Sequence, residues 1–368
     1  MTAARITFVI PTLTSGGAER VLTTMANYWA GKGRAVTVLT LAAQDEPPFY
    51  PLSPAVHRVG LGSIRPARTP IHAAANNASR LSGLRRAIKT SQPDVVISFL
   101  DQTNVLTLLA TRSLRVPVVV SEHTDPGLAQ RHPVWDRLRT TLYPRADFVV
   151  VLSESSKSFF SPRIRAKTRI IPNPVQVDCA RTPVAKSARP QIVALGRFGP
   201  EKGFDRLIAA FSRIAADLPD WDLAIWGDGV LRPELTAQRD RLGLTDRVLL
   251  PGRTTTPHAE LRKASIYALT SYREGFPMAL AEAMACGLPA VAFDLPSGPR
   301  DIIRDGIDGV LVPNGDMPAF AEALASLMKD CARRRATAAR APDVLDRFGV
   351  EHVMAIWDDL LGELTTTR

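Results

Sequence analysis

The sequence has few cysteines and no long hydrophobic run. Its three cysteines, Cys179, Cys286 and Cys331, show no metal-ligand spacing, and an odd number cannot close a full set of disulfides. A cytosolic location is therefore expected. No apolar stretch reaches the ~18–20 residues that a membrane-spanning helix needs. The apolar run near the start ends at Pro11 without the length or the cleavage site of a signal peptide, and we interpret it as a buried strand. Any contact with a membrane is expected to be peripheral.

Two further signatures are missing. The chain contains no GxGxxG dinucleotide fingerprint, which weakens an interpretation as a nicotinamide-dependent enzyme. Its six histidines show no metal-ligand spacing. We therefore expect no metal in catalysis and no bound cofactor.

The chain has enough apolar residues for two cores, and its positive charge is unevenly spread. Its 368 residues are 45% apolar, which at ~100–200 residues per domain predicts two domains. Residues 1–180 carry 22 basic and 11 acidic side chains, whereas residues 181–368 carry 24 and 25. The net positive charge therefore belongs to the first half, and this excess favours an anionic partner there.

Both halves begin with the same pattern of a buried strand, a glycine-containing loop, an amphipathic helix and a second strand. In the first half, Ile6–Ile10 leads into Gly16 and Gly17; in the second, Ile192–Leu195 leads into Gly196. Further apolar runs are typical of strands that are buried on both faces: Val36–Leu41, Val95–Phe99, Val116–Val120, Phe148–Leu152, Leu223–Trp226 and Ile266–Leu269. The pattern predicts an α/β protein with two Rossmann-like, doubly wound domains.

The domain boundaries follow from composition. The polar, proline-bounded segment Asp178–Pro190 is the best linker, which gives domains at 1–178 and 190–345. The last segment, 350–364, has a single apolar stripe and is expected to pack back onto the first domain as a helix.

The strongest motif contains two glutamates, Glu274 and Glu282, around the sequence Gly275-Phe276-Pro277. The strand Ile266–Leu269 precedes it, so Glu274 should lie at the carboxyl edge of a sheet, where open α/β folds bind ligands. Pro277 is expected in the first turn of the next helix, whose free N–H groups can meet an anion or hydroxyls. A single glutamate before a helix is more often a solvated charge. Two at this spacing favour a binding site.

This motif resembles the E-x7-E motif of retaining glycosyltransferases of family 4, which have the two-domain GT-B fold with a cleft between the domains. The resemblance extends over almost the whole chain through a series of motifs in family order: Gly16-Gly17-Ala18-Glu19-Arg20, Ile171-Pro172-Asn173-Pro174-Val175, Gly196-Arg197-Phe198, Trp226-Gly227-Asp228-Gly229, Pro251-Gly252-Arg253 and Asp305-Gly306-Ile307-Asp308-Gly309. Each motif alone is weak, but the series is specific.

The resemblance implies roles for the E-x7-E residues. Glu274 corresponds to the family glutamate that contacts the transferred sugar, and Glu282 to the one that holds the ribose. Gly275, Phe276 and Pro277 would supply main-chain contacts to the sugar. The family commonly has Asn where this chain has Met278, which leaves the identity of the sugar open.

Other donor-site residues follow in the same way. Arg197 and Lys202 match the basic pair that binds the diphosphate, and two cations there would stabilise the charge of the leaving group. Gly16 and Gly17 match the first glycine-rich loop of the family, which approaches the donor. Arg253 matches a position near the base, although it is also consistent with a surface arginine.

Three further predictions concern the first domain. His123 follows a buried strand and corresponds to a family histidine near the primary hydroxyl of the sugar, or it is a satisfied loop histidine. Asp101, Glu122 and Asp125 could bind hydroxyls of the acceptor. Asp101 could equally cap a helix over Val105–Thr111.

The resemblance implies a retaining transfer of a hexose-type sugar from a nucleotide diphosphate sugar, in the first place a UDP-sugar. The acceptor would be a glycan or a polyprenyl-diphosphate-linked oligosaccharide in bacterial surface polysaccharide synthesis. Two alternatives stay open, a sugar-nucleotide epimerase of the same fold and a basic nucleic-acid-binding module. The basic stretches lack interleaved aromatic residues, which argues against nucleic acid.

The segment His132–Tyr143 combines Trp135, Leu138 and Leu142 with arginines. This basic amphipathic pattern suits the anionic cytoplasmic face of the inner membrane. It is also typical of an ordinary helix whose apolar stripe packs on a core, and for any one such cluster the ordinary interpretation is favoured.

Overall fold

The computed structural model describes residues 4–63, 69–123, 133–177 and 189–366. The chain forms two compact units. One comprises Met1–Pro174 together with Val350–Arg368, and the other comprises Val175–Gly349. The linker predicted at Asp178–Pro190 lies outside the described residues except for its last two positions.

The first unit alternates strands and helices in chain order. Its elements are β1 (Arg5–Ile10), α1 (Gly17–Gly31), β2 (Ala35–Thr40), β3 (Val56–Gly60), α2 (Pro70–Ser91), β4 (Val95–Phe99), α3 (Asp101–Ala110), β5 (Val118–Ser121), α4 (Pro133–Leu142), β6 (Phe148–Val151), α5 (Glu154–Ser158), α6 (Pro162–Arg165) and β7 (Thr168–Ile170).

The strands described in the first unit form a seven-stranded parallel sheet in the order β3-β2-β1-β4-β5-β6-β7. β4 is buried at every residue and β1 at every residue but its first, because helices cover both faces of a parallel sheet. The strand order reverses direction between β1 and β4, so the carboxyl ends of these two strands flank the switch point where such folds bind ligands.

The second unit repeats this arrangement. Its elements are β8 (Gln191–Leu195), α7 (Phe204–Ser212), β9 (Asp222–Trp226), α8 (Arg232–Arg241), β10 (Val248–Gly252), α9 (Pro257–Lys263), β11 (Ile266–Leu269), α10 (Met278–Ala285), β12 (Ala290–Asp294), α11 (Pro299–Ile302), β13 (Gly309–Pro313), α12 (Met317–Lys329), α13 (Cys331–Arg340) and α14 (Val344–Phe348).

The strands described in the second unit form a six-stranded parallel sheet in the order β10-β9-β8-β11-β12-β13. Its switch point lies between β8 and β11, the two strands that precede Arg197 and Glu274. The predicted fold class, two parallel Rossmann-like sheets, is confirmed.

The last helix, α15 (Val350–Thr366), belongs to the first unit. The Trp29 indole of α1 packs edge-on against Trp357, and its Nε1 donates to Asp358 Oδ1 at 2.8 Å. Arg34 forms an ion pair with the same carboxylate at 2.8 Å, and Arg169 forms one with Glu363 at 3.3 Å. The final helix therefore covers a fully buried tryptophan of the first unit.

Two local predictions are corrected. α3 begins at Asp101, four residues before the predicted start at Val105, because Thr103 and Asn104 face the interior despite their polarity. Pro277 is the N-cap of α10 and does not lie in its first turn. Among the described helices, none is long and apolar enough to cross a membrane.

Candidate active site

Three loops meet at the carboxyl edge of the second sheet. Gly196 N–H donates to Trp226 O, and Gly227 N–H donates to Gly252 O, so the loops after β8, β9 and β10 are joined by main-chain hydrogen bonds. Gly227 has a φ of 145°, and a Cβ there would collide with the carbonyl oxygen of Gly196. Glycine is required at this position because the two backbones lie in contact. The loops form a continuous rim that leads to the switch point between β8 and β11.

The loop that carries Lys202 is also attached to β11. Thr270 Oγ1 donates to Gly203 O at 2.7 Å, and Tyr272 N–H donates to Glu201 O at 2.9 Å. Gly203 has a φ of 61°, and a Cβ there would collide with Thr270 O. This contact brings the turn after β8 against the residues that precede Glu274.

Lys202 and Glu274, 72 positions apart in the sequence, form an ion pair. Lys202 Nζ lies 2.8 Å from Glu274 Oε1, and Ser271 Oγ donates to the same oxygen at 2.7 Å. The Glu274 side chain is only 9% exposed. The predicted sugar-binding carboxylate and one predicted diphosphate-binding cation therefore lie together at the sheet edge.

Arg197 is placed differently. Its side chain is 75% exposed and pairs with Glu201 at 2.8 Å. Burial disfavours ionisation of Glu201, but the hydrogen bonds from Arg197 and from its own backbone outweigh this effect and hold the pKa of Glu201 below its usual value. The guanidinium stands at the rim, with room to turn toward an anion.

Glu282 lies inside the second unit, on α10. It is 2% exposed, and the His258 Nε2 atom of α9 lies 3.7 Å from its Oε2. The Tyr267 side chain of β11 is fully buried; this burial, together with the charges of Glu274 and Glu282, raises its pKa far above the usual value. The tyrosine is a neutral neighbour of both glutamates and keeps its proton throughout the physiological range.

Two further predicted donor residues, Phe276 and Arg253, also belong to the second unit. Phe276 is 7% exposed, and its ring packs edge-on against Phe348 of α14, so mainly its backbone is available to a ligand. Arg253 is exposed, and its positive charge acts on Asp228 of the β9 loop.

In the first unit, His123 follows β5 and stacks on Phe99 of β4, with ring centroids 4.6 Å apart. Its Nε2 lies 3.0 Å from Ser121 Oγ. Burial lowers the pKa of His123 to about 3, and the hydrogen bond with Asn173 offsets only part of this shift. The imidazole is therefore neutral at physiological pH and acts as a neutral hydrogen-bonding group.

The predicted acceptor residue Glu122 lies in the interior of the first unit. This residue is 2% exposed, and its carboxylate accepts a hydrogen bond from the Tyr143 hydroxyl, which Asn104 also contacts at 3.1 Å. Asp101 stands at the first position of α3, where its Oδ1 accepts from Gln102 N–H. Asp125 lies outside the described residues.

The first glycine-rich loop carries a carboxylate that was not among the predicted site residues. Glu19, in the first turn of α1, folds back over Gly16, where a Cβ would collide with its carboxylate. Burial raises the pKa of Glu19, although its own backbone N–H, Thr12 and Thr14 partly offset this effect through hydrogen bonds. Gly17 has open space around it.

The structure supports the ordinary interpretation of α4. Trp135 and Leu138 pack against the core of the first unit, and Leu142 belongs to it. Arg139 is 4% exposed, pairs with Asp136 at 3.0 Å and lies over the Phe159 and Phe160 rings. Arg139 is therefore not available to a membrane surface.

Known proteins share this fold. Residues 15–178 match the family described as Glycosyltransferase Family 4, and residues 180–344 match the family described as Glycosyl transferases group 1. The chain is 30% identical, over 98% of its own length and 99% of the relative's, to a Campylobacter jejuni enzyme. That relative is the GalNAc-alpha-(1->4)-GalNAc-alpha-(1->3)-diNAcBac-PP-undecaprenol alpha-1,4-N-acetyl-D-galactosaminyltransferase.

Two solved structures share the fold. HepE from Anabaena in complex with UDP has a TM-score of 0.79 at 20% identity, over 99% of this chain and 100% of its own. Sucrose-phosphate synthase from Thermosynechococcus elongatus has a TM-score of 0.82 at 19% identity, over 99% of both chains. The chain belongs to glycosyltransferase family 4 and is a glycosyltransferase of the GT-B fold. The recognition from sequence motifs is confirmed, while the role of each site residue stays a prediction.

Several neighbours of the predicted residues carry no motif signal. Ser271, His258 and Glu201 contact Glu274, Glu282 and Arg197 respectively. The polar run after β11 could have indicated Ser271, since it follows the end of a buried strand closely. Nothing in the sequence indicates the pairing of His258 with Glu282, because it depends on how α9 packs beside α10.

Proposed function

We propose that this glycosyltransferase moves a hexose-type sugar, with retention of the anomeric configuration, from a UDP-sugar to a polyprenyl-diphosphate-linked glycan. The pairing of Lys202 with Glu274 at the switch point of the second sheet carries the proposal. A cation beside a carboxylate offers one group for the diphosphate and one for the hydroxyls of the sugar attached to it. The C. jejuni relative, whose name specifies an undecaprenyl-diphosphate glycan, supports this class of acceptor in surface polysaccharide assembly.

In the proposed reaction the acceptor hydroxyl attacks the anomeric carbon from the face that the diphosphate leaves. The new bond forms from the acceptor oxygen to that carbon, the bond to the diphosphate oxygen breaks, and the acceptor proton passes to the leaving diphosphate. Lys202 and Arg197 would stabilise the negative charge that develops on the diphosphate. Glu274 would hold the sugar while its ring carries positive charge, and Glu282 would hold the ribose. His123, as a neutral imidazole, would hydrogen-bond to the sugar.

The test is a panel of UDP-, GDP- and ADP-sugars with polyprenyl-diphosphate-linked glycans as acceptors. Wild type should transfer a sugar from a UDP-sugar, and NMR of the product should show the α or β configuration of the donor. Glu274→Ala and Arg197→Ala should lose most of the turnover. Detection of a covalent glycosyl-enzyme by mass spectrometry would refute the single-displacement mechanism and support a double displacement. Conversion of the donor to its epimer in the absence of acceptor would show that the protein is an epimerase and not a transferase.

We also propose that catalysis needs no divalent metal, since cationic side chains take the place of a metal at the diphosphate. Within the described ranges, no three His, Cys, Asp or Glu side chains are grouped to hold an ion. Turnover with excess EDTA should equal turnover with added Mg²⁺ or Mn²⁺. A loss of activity on chelation, restored by either metal, would refute metal independence and leave the transferase proposal standing.

We further propose that the first unit works at the cytoplasmic face of the inner membrane. The Val134 and Phe159 side chains are 55% and 48% exposed, and the nearby chain also exposes Arg137 and Arg163. Binding to anionic liposomes should be salt-sensitive and should weaken in Arg137→Ala/Arg163→Ala. Equal flotation with neutral liposomes would contradict the proposal. A gel shift with DNA or RNA at the same salt would favour nucleic acid instead.

A further inference from the structure

The turn between β12 and α11 contacts the loop that carries Glu274. Ser297 is fully buried, and its Oγ donates a hydrogen bond of 2.6 Å to the backbone oxygen of Glu274. The bond joins positions 23 residues apart and fixes the peptide that leads into Gly275. The loop is therefore held from outside its own strand and helix.

Gly298 approaches the same loop without a side chain. Its φ is 91°, in the region that favours glycine, and a Cβ there would lie 2.9 Å from Pro277 Cδ and 3.0 Å from Glu274 Cβ. The Gly298 N–H donates to Asp301 Oδ2 at 2.8 Å, which holds the turn in place. The absence of a Cβ allows the turn to pack directly on the Glu274–Pro277 loop.

Glu274 is thus held at both ends. Ser271 and Lys202 contact its carboxylate, and Ser297 contacts its backbone carbonyl. Glu282, in contrast, lies in the middle of α10, among buried residues that belong to the helix itself. A change in the Ser297–Gly298 turn should displace Glu274 and the Gly275 peptide while Glu282 stays in place.

We propose that the Ser297–Gly298 turn is a positioning element for the transferred sugar, and that it sets the place of the Glu274–Pro277 loop without contributing to nucleotide affinity. This inference rests on the proposed function, since it assigns the loop to the sugar of the donor. Displacement of a positioned group by about 1 Å can cost on the order of 100-fold in rate.

The test compares Ser297→Ala, which removes the hydrogen bond, with Gly298→Ala, which pushes the turn against Pro277 and Glu274. Both should lower kcat/KM for the nucleotide sugar by roughly 100-fold. The affinity for UDP alone, measured by calorimetry, should be unchanged in both. Loss of overall structure would weaken UDP binding as well, so the split between the two measurements separates positioning from stability.

The second unit offers a matched control for each variant. On α7, Ser212 Oγ donates to the backbone oxygen of Ala209 at 2.9 Å, so Ser212→Ala removes a serine-to-backbone hydrogen bond that does not involve the loop. Gly243 has a φ of 66° and open space around its Cβ position, so Gly243→Ala introduces the backbone strain without the contact. Both controls should keep kcat/KM for the nucleotide sugar and the affinity for UDP.

The outcomes distinguish this inference from the proposed function. If wild type transfers sugar, Glu274→Ala is inactive and both turn variants stay as active as their controls, the inference is wrong and the function stands. The inference is also wrong, with the function still standing, if UDP affinity and turnover fall together in the turn variants. If wild type uses no nucleotide sugar, the proposed function fails and the inference fails with it.

Discussion

Lys202 Nζ lies 2.8 Å from Glu274 Oε1, and the two side chains are 24% and 9% exposed. A donor diphosphate would compete with Glu274 for the lysine, whereas the hydrogen bond from Ser271 would stay with the carboxylate. The ion pair thus keeps both groups at the site before the donor arrives.

Removal of the Lys202 charge should impair the reaction strongly. Lys202→Met should lower kcat/KM for the nucleotide sugar by roughly 100-fold or more, because a charge-stabilising group aimed at the leaving diphosphate is lost. Lys202→Arg should recover part of the activity, since it retains the charge with a different geometry. Steady-state release of the nucleoside diphosphate measures both effects.

A lysine elsewhere in the second unit provides the control. Lys263 pairs with Glu260 on α9 at 3.0 Å. Lys263→Met should leave turnover unchanged. Equal losses in Lys202→Met and Lys263→Met would mean that Lys202 acts only through stability.

The second prediction concerns the ionisation of His123. Burial holds its pKa at about 3, against 6.5 for an unperturbed histidine. A lowered histidine pKa means that the folded state favours the neutral imidazole. The contribution of His123 to stability is therefore complete above pH 6.5 and is lost as the pH falls toward 3. In NMR titrations the imidazole signals of His123 should stay constant from about pH 8 to about pH 5.

The exposed His57 serves as the reference signal in the same spectra, and His123→Asn and His57→Gln assign the two resonances. A midpoint for His123 near that of an unperturbed histidine would contradict the neutral imidazole. It would also restore the possibility of a charged histidine at the site.

Most of the strands buried on both faces were predictable, although β12 was not among the predicted strands, and the edge strands β3 and β7 were missed. Val95–Phe99 and Ile266–Leu269 agree with β4 and β11 at both ends, because complete burial makes each strand a continuous apolar run. β3 has only one buried residue and β7 spans only three residues, so neither produces such a run. The start of α3 was missed because buried Thr103 and Asn104 look like loop residues in the sequence.

The candidate site shows the same division. The motifs identified Glu274, Glu282 and Lys202. Lys202 and Glu274 lie in loops that follow strands of one sheet, and Glu282 lies on the helix that follows Glu274. The motifs could not supply Ser297, whose hydrogen bond to Glu274 spans 23 positions, or the burial of Glu122 beside Tyr143. A polar residue after a strand can face a ligand or the core, and only the tertiary packing decides which.

The third prediction uses the raised pKa of Glu19. Burial makes its ionisation more costly in the folded state than in the unfolded chain, where the usual value is 4.5. Its contribution to stability is therefore complete below pH 4.5 and is lost as the pH rises through the folded pKa. Glu19→Gln keeps the shape and removes the ionisation, so the variant should be at least as stable as wild type at about pH 7.

The advantage of Glu19→Gln should shrink as the pH falls toward about 4, as followed by hydrogen exchange of the α1 and β1 amides. The exposed Glu234→Gln in the second unit controls for the loss of one negative charge. A Glu19→Gln protein that is less stable than wild type at neutral pH would show that the charged carboxylate stabilises the glycine-rich loop.

The last prediction concerns the attachment of α15 to the first unit. Asp358 accepts a hydrogen bond from the Trp29 indole at 2.8 Å and pairs with Arg34 at 2.8 Å. Asp358→Ala leaves the buried indole N–H without its acceptor, which should cost about 1–3 kcal/mol. Because Trp29 of α1 is fully buried and packs against Trp357 of α15, hydrogen exchange should become faster in both helices. The neighbouring Asp359 is exposed, so Asp359→Ala should change neither the stability nor the hydrogen exchange of the two helices. Equal exchange in the two variants would show that apolar packing of Trp29 against Trp357, and not the carboxylate, holds the final helix.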